Sequence, residues 1–511
     1  MNQAIMKTAV IYIGSKAITM KITERNSNHE LITLEAIEYP IDLGTDTFKN
    51  QHISYEHLNE ICQILNQLKG LLNDYQVEMT NLFATTAIRE SNNKDFVVDQ
   101  ISHKTGFYLT VLSDSEEKSY IYKGIQYILD PKEIINQNLL FCYIGTGRFS
   151  MALSKEREIV DYINLRFGSI KLNEILRNLK DKMTHFSSSV ENYLNSFTHM
   201  LEKFISNESI DSVIMTGKEM DLLRNILNIP QNEKIFQVPL ETFKNIYNDF
   251  SQKDFVVLSE QYDLTIHEVE RLTISLTIYS IIFKIASIES IYCVNFTLED
   301  IITIKKLLPN TYEVIEKRFN KNIIRIAYTI GEKYKFDKKH AVNVTNNALN
   351  FFDETEEIHG LDQRDRLLLQ IAGILHDIGK YISLKQHYKH SYYILKSSDI
   401  LGLSTEENLI IAYIARYHSY KSISLETRLK LNQTAHMKVL KLTALLRLAD
   451  SLDRSHNQPV TKFSVSHENS QLVVSIDGFN NLDFEIWSLQ AKSDLFEKIF
   501  GIQPIIKRKG F

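Results

Sequence analysis

The sequence predicts a multidomain protein in which two successive α/β lobes are followed by an all-helical domain and a small α+β domain. Three observations predict it. The length of 511 residues allows three or four domains of about 100–200 residues, each able to bury its own core. Strand-like and helix-like runs alternate up to about residue 310, as in α/β layer folds. Between residues 311 and 458 the periodicity becomes helical, and alternation then returns.

In chain order, Thr8–Ile13 and Ile18–Ile22 read as strands, Tyr55–Asn73 as a helix and Asn81–Thr85 as a short strand. A second cycle opens with the buried strand LLFCYIG from Leu139, paired through a turn with RFSMALS, and continues in a helical tract from Ser169 to Ser206. Two such halves leave a cleft between them. The runs LLLQIAGILHDIGKYI and NLIIAYIARYH are amphipathic or buried helices. The end alternates in FSVSHENSQLVVSI around an Asn-Ser turn and closes with the helix SLQAKSDLFEKIFG. The boundaries read from this pattern are 1–133, 134–310, 311–458 and 459–511. With only 7 prolines and no Pro- or Ser-rich linker, the parts are expected to pack together.

Composition narrows the function. Apolar residues at 44% and charged residues at 24% are those of a soluble globular chain. The net charge of −5, without a basic stripe interleaved with aromatics, argues against nucleic-acid binding. There are 17 glycines where average usage of roughly 7% would give about 36, so few are available for phosphate-cradling turns. Cys62, Cys142 and Cys293 form no CxxC pair, which predicts a reducing cytoplasm and no thiolate zinc site. The most apolar stretch, Ile274–Phe283, reaches Lys284 after ten residues, too short for a bilayer. The opening MNQAIMK leads straight into a strand, so no signal peptide is expected.

Several segments of the first part carry a resemblance. TAVIYIGSKAITMKI, ATTAIRESNN from Ala84, SDSEEKSYIYKGI from Ser113, CYIGTGRFSMAL from Cys142 and LRFGSIKL from Leu165 are similar, in order and spacing, to motifs of the exopolyphosphatase and guanosine pentaphosphatase (Ppx/GppA) family. The resemblance implies a head of two actin-like (ribonuclease H-like) α/β lobes. It also implies that Glu117 is the general base, that Arg89 binds phosphate, and that the turns with Gly145, Gly147, Arg148 and Gly168 face phosphate. Two departures matter. The family's two metal-side turn aspartates are replaced by Tyr12 and Tyr143, and tyrosine is seldom a Mg²⁺ ligand. Thr146, Arg148 and Ser150 also depart from the second turn, and a later turn is reduced to Thr216–Lys218. Either the head works with Arg148 as replacement positive charge, or its glycines, Gly14 included, persist for backbone geometry alone.

The helical part carries a metal-ligand pattern. His376 and Asp377 adjoin in ILHDIGK, and His340 shares a helix face with Val344 and Ala348. Asp450 lies in LLRLADSLDRSH. Two nitrogen and two oxygen ligands suit a divalent transition metal such as Mn²⁺ or Fe²⁺. His390 and His418 follow, with His387 three residues before the first. The ordered set resembles the HD phosphohydrolase superfamily, which implies one or two divalent ions (Mn, Fe or Mg), with the extra histidines on the second. Lys380, near Asp377, would meet a phosphate oxygen.

The expectation is a cytoplasmic phosphoanhydride hydrolase acting on inorganic polyphosphate or a guanosine polyphosphate nucleotide such as pppGpp. Metal-assisted water attack is placed in the HD centre, with Asp377 and Lys380 as its working residues, because the head has lost its aspartates. Head chemistry through Glu117 and a non-catalytic sensor are the alternatives. A homodimer is carried over from the resemblance; neither membrane nor nucleic acid is a partner. The basic groups Lys507–Lys509 and Lys317, Arg318 and Lys321 read as polyanion contacts or as solvated charge.

Overall fold

The computed structural model describes residues 6–177, 186–205, 208–230, 232–286, 288, 290–419, 427–468, 471–477 and 482–509. The chain divides into two compact units, Met1–Phe319 and Asn320–Phe511, and the division falls within the helix Pro309–Lys333.

In the first unit, β1 (Met6–Ile13), β2 (Ala17–Arg25), β3 (Leu31–Pro40), β4 (Met79–Ala84) and β5 (Leu109–Val111) form a sheet ordered β3-β2-β1-β4-β5. β1 is antiparallel to β2 and parallel to β4, and its Ala9, Val10, Ile11 and Ile13 are fully buried, as a central strand requires. The helix Tyr55–Asp74 is capped by Ser54 and turns Leu58, Ile61, Leu65 and Leu68 into this core. A second sheet contains β6 (Leu139–Ile144), β7 (Phe149–Lys155), β8 (Glu158–Leu165), β9 (Ser212–Thr216), β10 (Ile235–Val238) and β11 (Ser290–Val294), in the order β10-β11-β9-β6-β7-β8.

The tract predicted from Ser169 to Ser206 is two helices, Ser169–Arg177 and Phe186–Ile205; residues 178–185 and Ser206 lie outside the described residues. The apolar run Ile274–Phe283 belongs to the largely buried helix Ile266–Ile285. Among the described residues no helix is long and apolar enough to cross a membrane.

The second unit is mainly helical, with α1 (Lys338–Glu354), α2 (Gln363–Leu375), α3 (His387–Ser397), α4 (Thr405–Tyr417) and α5 (Gln433–Ser451). Here β12 (Phe463–Glu468), β13 (Gln471–Asp477) and β14 (Gln503–Lys509) form a small sheet ordered β12-β13-β14. The predicted Asn469–Ser470 turn lies outside the described residues. The single predicted terminal helix is two, α6 (Asp483–Lys492) and α7 (Asp494–Phe500), which meet at Ser493. Both pack against α5.

Candidate functional site

The cleft of the first unit is built on the predicted turns. Gly145 N donates to Arg148 O at 2.8 Å, and Ser169 N donates to Gly145 O at 3.0 Å. A Cβ on Gly168 would lie 2.2 Å from Gly145 O and 2.5 Å from Arg148 N, so only glycine lets these backbones meet. A Cβ on Gly147 would meet Thr86 Cγ2 at 2.5 Å. A cavity of about 280 Å³ is lined by Tyr12, Tyr143, Gly145, Thr146, Gly217 and Glu117 among others. The capping box of Ser113 and Glu116 starts the helix Asp114–Leu129 and sets Glu117, buried, in its first turn.

The charged groups of this cleft are engaged with one another. Arg89 Nη1 donates to Glu117 Oε2 at 2.9 Å and to Leu112 O at 2.9 Å, while the Tyr143 hydroxyl donates to Glu117 Oε1 at 3.2 Å. Asp114 draws Lys118 at 2.8 Å, Arg148 at 3.3 Å and Arg89 at 3.5 Å. Burial alone would raise the Asp114 pKa, but these cations outweigh it and hold the carboxyl below its ordinary value. Burial, reinforced by Glu117, pushes both Tyr12 and Tyr143 up, so both remain neutral phenols. The Tyr12 hydroxyl is 2.8 Å from Thr85 Oγ1. The predicted phosphate ligands Arg89 and Arg148 are thus held by carboxylates. Among the described residues, the groups of three or more candidate ligand atoms that converge within 4.8 Å all lie in the second unit.

There, local sequence explains the convergence. Asp337 caps α1 by accepting from His340 N, which sets His340 in the first turn, buried. A Cβ on Gly373 would come 2.7 Å from Thr345 Oγ1, so glycine lets α2 close on α1 and brings the His340 and His376 rings to 5.3 Å. The HD pair, predicted on a helix, stands at its end. α2 stops at Leu375, His376 is its cap, and Asp377 leads into the 3₁₀ turn Ile378–Tyr381.

The histidine rings are held by their outer nitrogens. Nδ1 of His376 donates to Gly373 O at 2.7 Å, and Nδ1 of His418 to Ala415 O at 2.7 Å. His340 Nδ1 bonds Asp453 Oδ2 at 2.9 Å, and His387 Nδ1 reaches Leu384 O at 3.3 Å. A carbonyl oxygen only accepts, so the proton sits on Nδ1 and the Nε2 lone pair faces inward. These Nε2 atoms surround Asp377. Its Oδ2 is 3.4 Å from His376 and 3.7 Å from His340, and its Oδ1 is 3.2 Å from His387 and 3.4 Å from His418. Asp450 Oδ1 is 3.4 Å from His340 Nε2. His340 Nε2, His376 Nε2 and Asp377 Oδ1 are buried without any hydrogen bond, a cost of about 1–3 kcal/mol each unless something else binds them. Convergent orphaned lone pairs, with their outer atoms fixed, fit a divalent cation.

The electrostatics agree. Burial opposes charge on His340, yet the nearby carboxylates of Asp450 and Asp453 outweigh it and raise the pKa to about 9, a sign of strong negative potential. Burial pushes His418 down to about 4 and lowers His387, which keeps both rings neutral. Asp377 and Asp450 sit well below the usual carboxylate range despite burial, Asp377 through His376 and His418, Asp450 through Lys492 and His340.

Neither His387 nor His390 is in the groups of three converging ligand atoms. His387, at the start of α3, lies 3.2 Å from Asp377 Oδ1 and 3.4 Å from His418 Nε2. Lys380 Nζ lies 2.5 Å from Asp377 Oδ2. Three further participants were not predicted: Asp453, His456, whose ring stacks on His340 at 3.7 Å, and Lys492, which donates to Asp450 Oδ2. Asp453 and His456 stand in the same LADSLDRSH segment that pointed to Asp450, and that was their signal. Elsewhere, Lys317 pairs with Glu313, Arg318 with Asp130 and Lys507 with Glu468; the side chains of Arg508 and Lys509 lie outside the described residues.

Comparison with known proteins matches residues 22–300 to the Ppx/GppA phosphatase family and residues 324–493 to Ppx/GppA phosphatase, domain III. A guanosine-5'-triphosphate,3'-diphosphate pyrophosphatase of Photobacterium profundum is 22% identical over 474 residues, covering 92% of this chain and 91% of that protein. The protein of that name from Pseudoalteromonas translucida is 23% identical over 418 residues, 80% of each chain. Among solved structures, an exopolyphosphatase from Cytophaga hutchinsonii has a TM-score of 0.52 at 17% identity over 59% of this chain and 98% of its own. An Aquifex aeolicus Ppx/GppA family member has 0.51 at 17%, over 60% and 99%. The fold shared with these neighbours is the actin-like α/β fold.

Proposed function

Since the chain belongs to the Ppx/GppA phosphatase family, we propose that it is a phosphohydrolase whose working centre is the histidine-aspartate cluster of its helical unit. The substrate class is a phosphoanhydride chain, inorganic polyphosphate or a pppGpp-type nucleotide, in keeping with the names of its relatives. The observation that carries this reading is a contrast. In the helical unit His340 Nε2, His376 Nε2 and Asp377 Oδ1 converge without hydrogen bonds, whereas in the head Arg89 is bound to Glu117 and Arg148 to Asp114.

His340, His376, Asp377 and Asp450 would hold one ion, and His387, His418 and the second oxygen of Asp377 another. A divalent cation so held supplies Lewis acidity toward a phosphoryl oxygen and acidifies water. The chain's own residues do the rest. Asp453, Gly373 O and Ala415 O keep the imidazoles in one tautomer, and Lys380 supplies positive charge for an equatorial phosphate oxygen. The head reading, with Glu117 as base and Arg89 as clamp, needs that ion pair to open when phosphate enters. Three buried free cysteines support placement in a reducing cytoplasm, and a homodimer, measurable by light scattering, belongs to the same reading.

The test is phosphate release from polyphosphate and from pppGpp with Mn²⁺ or Mg²⁺. Asp377→Ala is expected to abolish release and Glu117→Ala to leave most of it. The reverse dependence would place the chemistry in the head.

A further inference from the structure

Resting on the metal-centre reading above, we propose that Lys492 is a second phosphate-binding residue of this centre, contributed by the C-terminal α+β segment. Lys492 ends α6, a helix 42 positions away in sequence from the aspartate it touches. Its ammonium donates to Asp450 Oδ2 and, among the described residues, to nothing else. An ammonium has three N–H donors, so two remain for a ligand. The side chain is 14% exposed, at the rim of the cluster rather than sealed beneath it.

The approach is built rather than incidental. On one side of Lys492, Arg447 of α5 donates to Asp494 of α7 at 2.7 Å; on the other, Ser455 Oγ donates to Glu485 of α6 at 2.7 Å. These two ties anchor the C-terminal helices to the ligand-bearing helix α5. Each anionic ligand then carries one lysine: Lys380 on Asp377 and Lys492 on Asp450. A cation held with His340 and His376 would draw on Asp377 Oδ2, the oxygen that Lys380 holds, and on Asp450 Oδ1, the oxygen next to the one that Lys492 holds. Both ammonium groups would then stand close to an anion on that cation. A tetrahedral phosphoryl group offers the oxygens to meet both, and lysine binds such a group as a point charge.

The probe is inorganic phosphate, titrated by calorimetry into the full-length chain loaded with Mn²⁺, for wild type, Lys492→Met and Lys492→Arg. Mn²⁺ stoichiometry is measured separately, and emission of Trp487, the single tryptophan and a residue of α6, checks that the helix stays docked. Lys492→Met is expected to keep the Mn²⁺ stoichiometry and emission while phosphate affinity falls at least tenfold, and Lys492→Arg to recover most of it. Unchanged phosphate affinity in Lys492→Met overturns the proposal. So does loss of Mn²⁺ in that variant, which would make Lys492 a support for Asp450 only. A wild-type chain that binds no Mn²⁺ overturns the centre itself and Lys492's role with it.

Discussion

Replacing Gly379 by alanine separates the two halves of the centre. Gly379 lies in the turn after Asp377, pressed against α3, and its N–H donates to Ser391 Oγ at 2.9 Å. A Cβ there would stand 2.1 Å from His387 O and 2.3 Å from Ser391 N, both backbone atoms. Ordinary contact begins at 3.4 Å, so α3 must retreat by about 1.3 Å (3.4 − 2.1). Metal–ligand distances tolerate about 0.2 Å, so His387 leaves its place beside Asp377 Oδ1. The ligands His340, His376 and Asp450 stand on α1, the end of α2 and α5, and stay. Overpacking adds a destabilisation of about 1–3 kcal/mol. The assay is Mn²⁺ binding by calorimetry and metal analysis, with thermal unfolding alongside. Gly379→Ala is expected to keep one tight equivalent, weaken the second at least tenfold, and melt several degrees lower. Two equivalents at wild-type affinity would refute both the packing argument and the assignment of His387.

Asp453→Ala removes the acceptor that orients His340 and is expected to weaken Mn²⁺ binding about 10–100-fold, with Asp453→Asn recovering part of it, as a Mn²⁺ titration reads directly. Saturating Mn²⁺ at 100 times its Kd is expected to stabilise the protein by about 2.7 kcal/mol in denaturant melts, an effect absent after Asp377→Ala. Gly168→Ala, which drives a Cβ onto the backbone of the 145–148 turn, is expected to destabilise the protein by about 3 kcal/mol or more by the same melts while leaving Mn²⁺ stoichiometry intact. Glu407 accepts from Arg364 at 2.6 and 2.9 Å, and although burial works the other way, this pairing lowers its pKa. A depressed carboxylate pKa contributes stability above the unfolded value and loses it as pH falls through the folded one. Glu407→Gln is therefore expected to cost about 1–3 kcal/mol at pH 7 and progressively less below about pH 4, as urea melts at several pH values would show.

Much of this molecule is legible in the chain because local rules suffice for it. The helix read from Tyr55 to Asn73 is found at Tyr55–Asp74, because apolar spacing announces which face goes inward. Tyr12 and Tyr143 already stand where the resemblance to the family leads one to expect aspartates. Residue type and order single out His340, His376, Asp377, His418 and Asp450 as candidate ligands, since imidazole and carboxylate together suit a divalent transition metal.

What the chain alone leaves open is partnership. His387 and His390 lie three positions apart on one helix, and it is the close approach of α3 to the bare backbone of Gly379 that sets His387 beside Asp377. Arg89 and Arg148 read as phosphate ligands, and only the fold shows that Glu117 and Asp114 stand beside them. Lys492 carries no motif at all; only the packing of α6 and α7 on α5 brings its ammonium to Asp450. Residue type sets what a side chain can bind, but charge interactions and metal coordination act over a few ångströms, and such proximity between distant residues exists only once the core has closed.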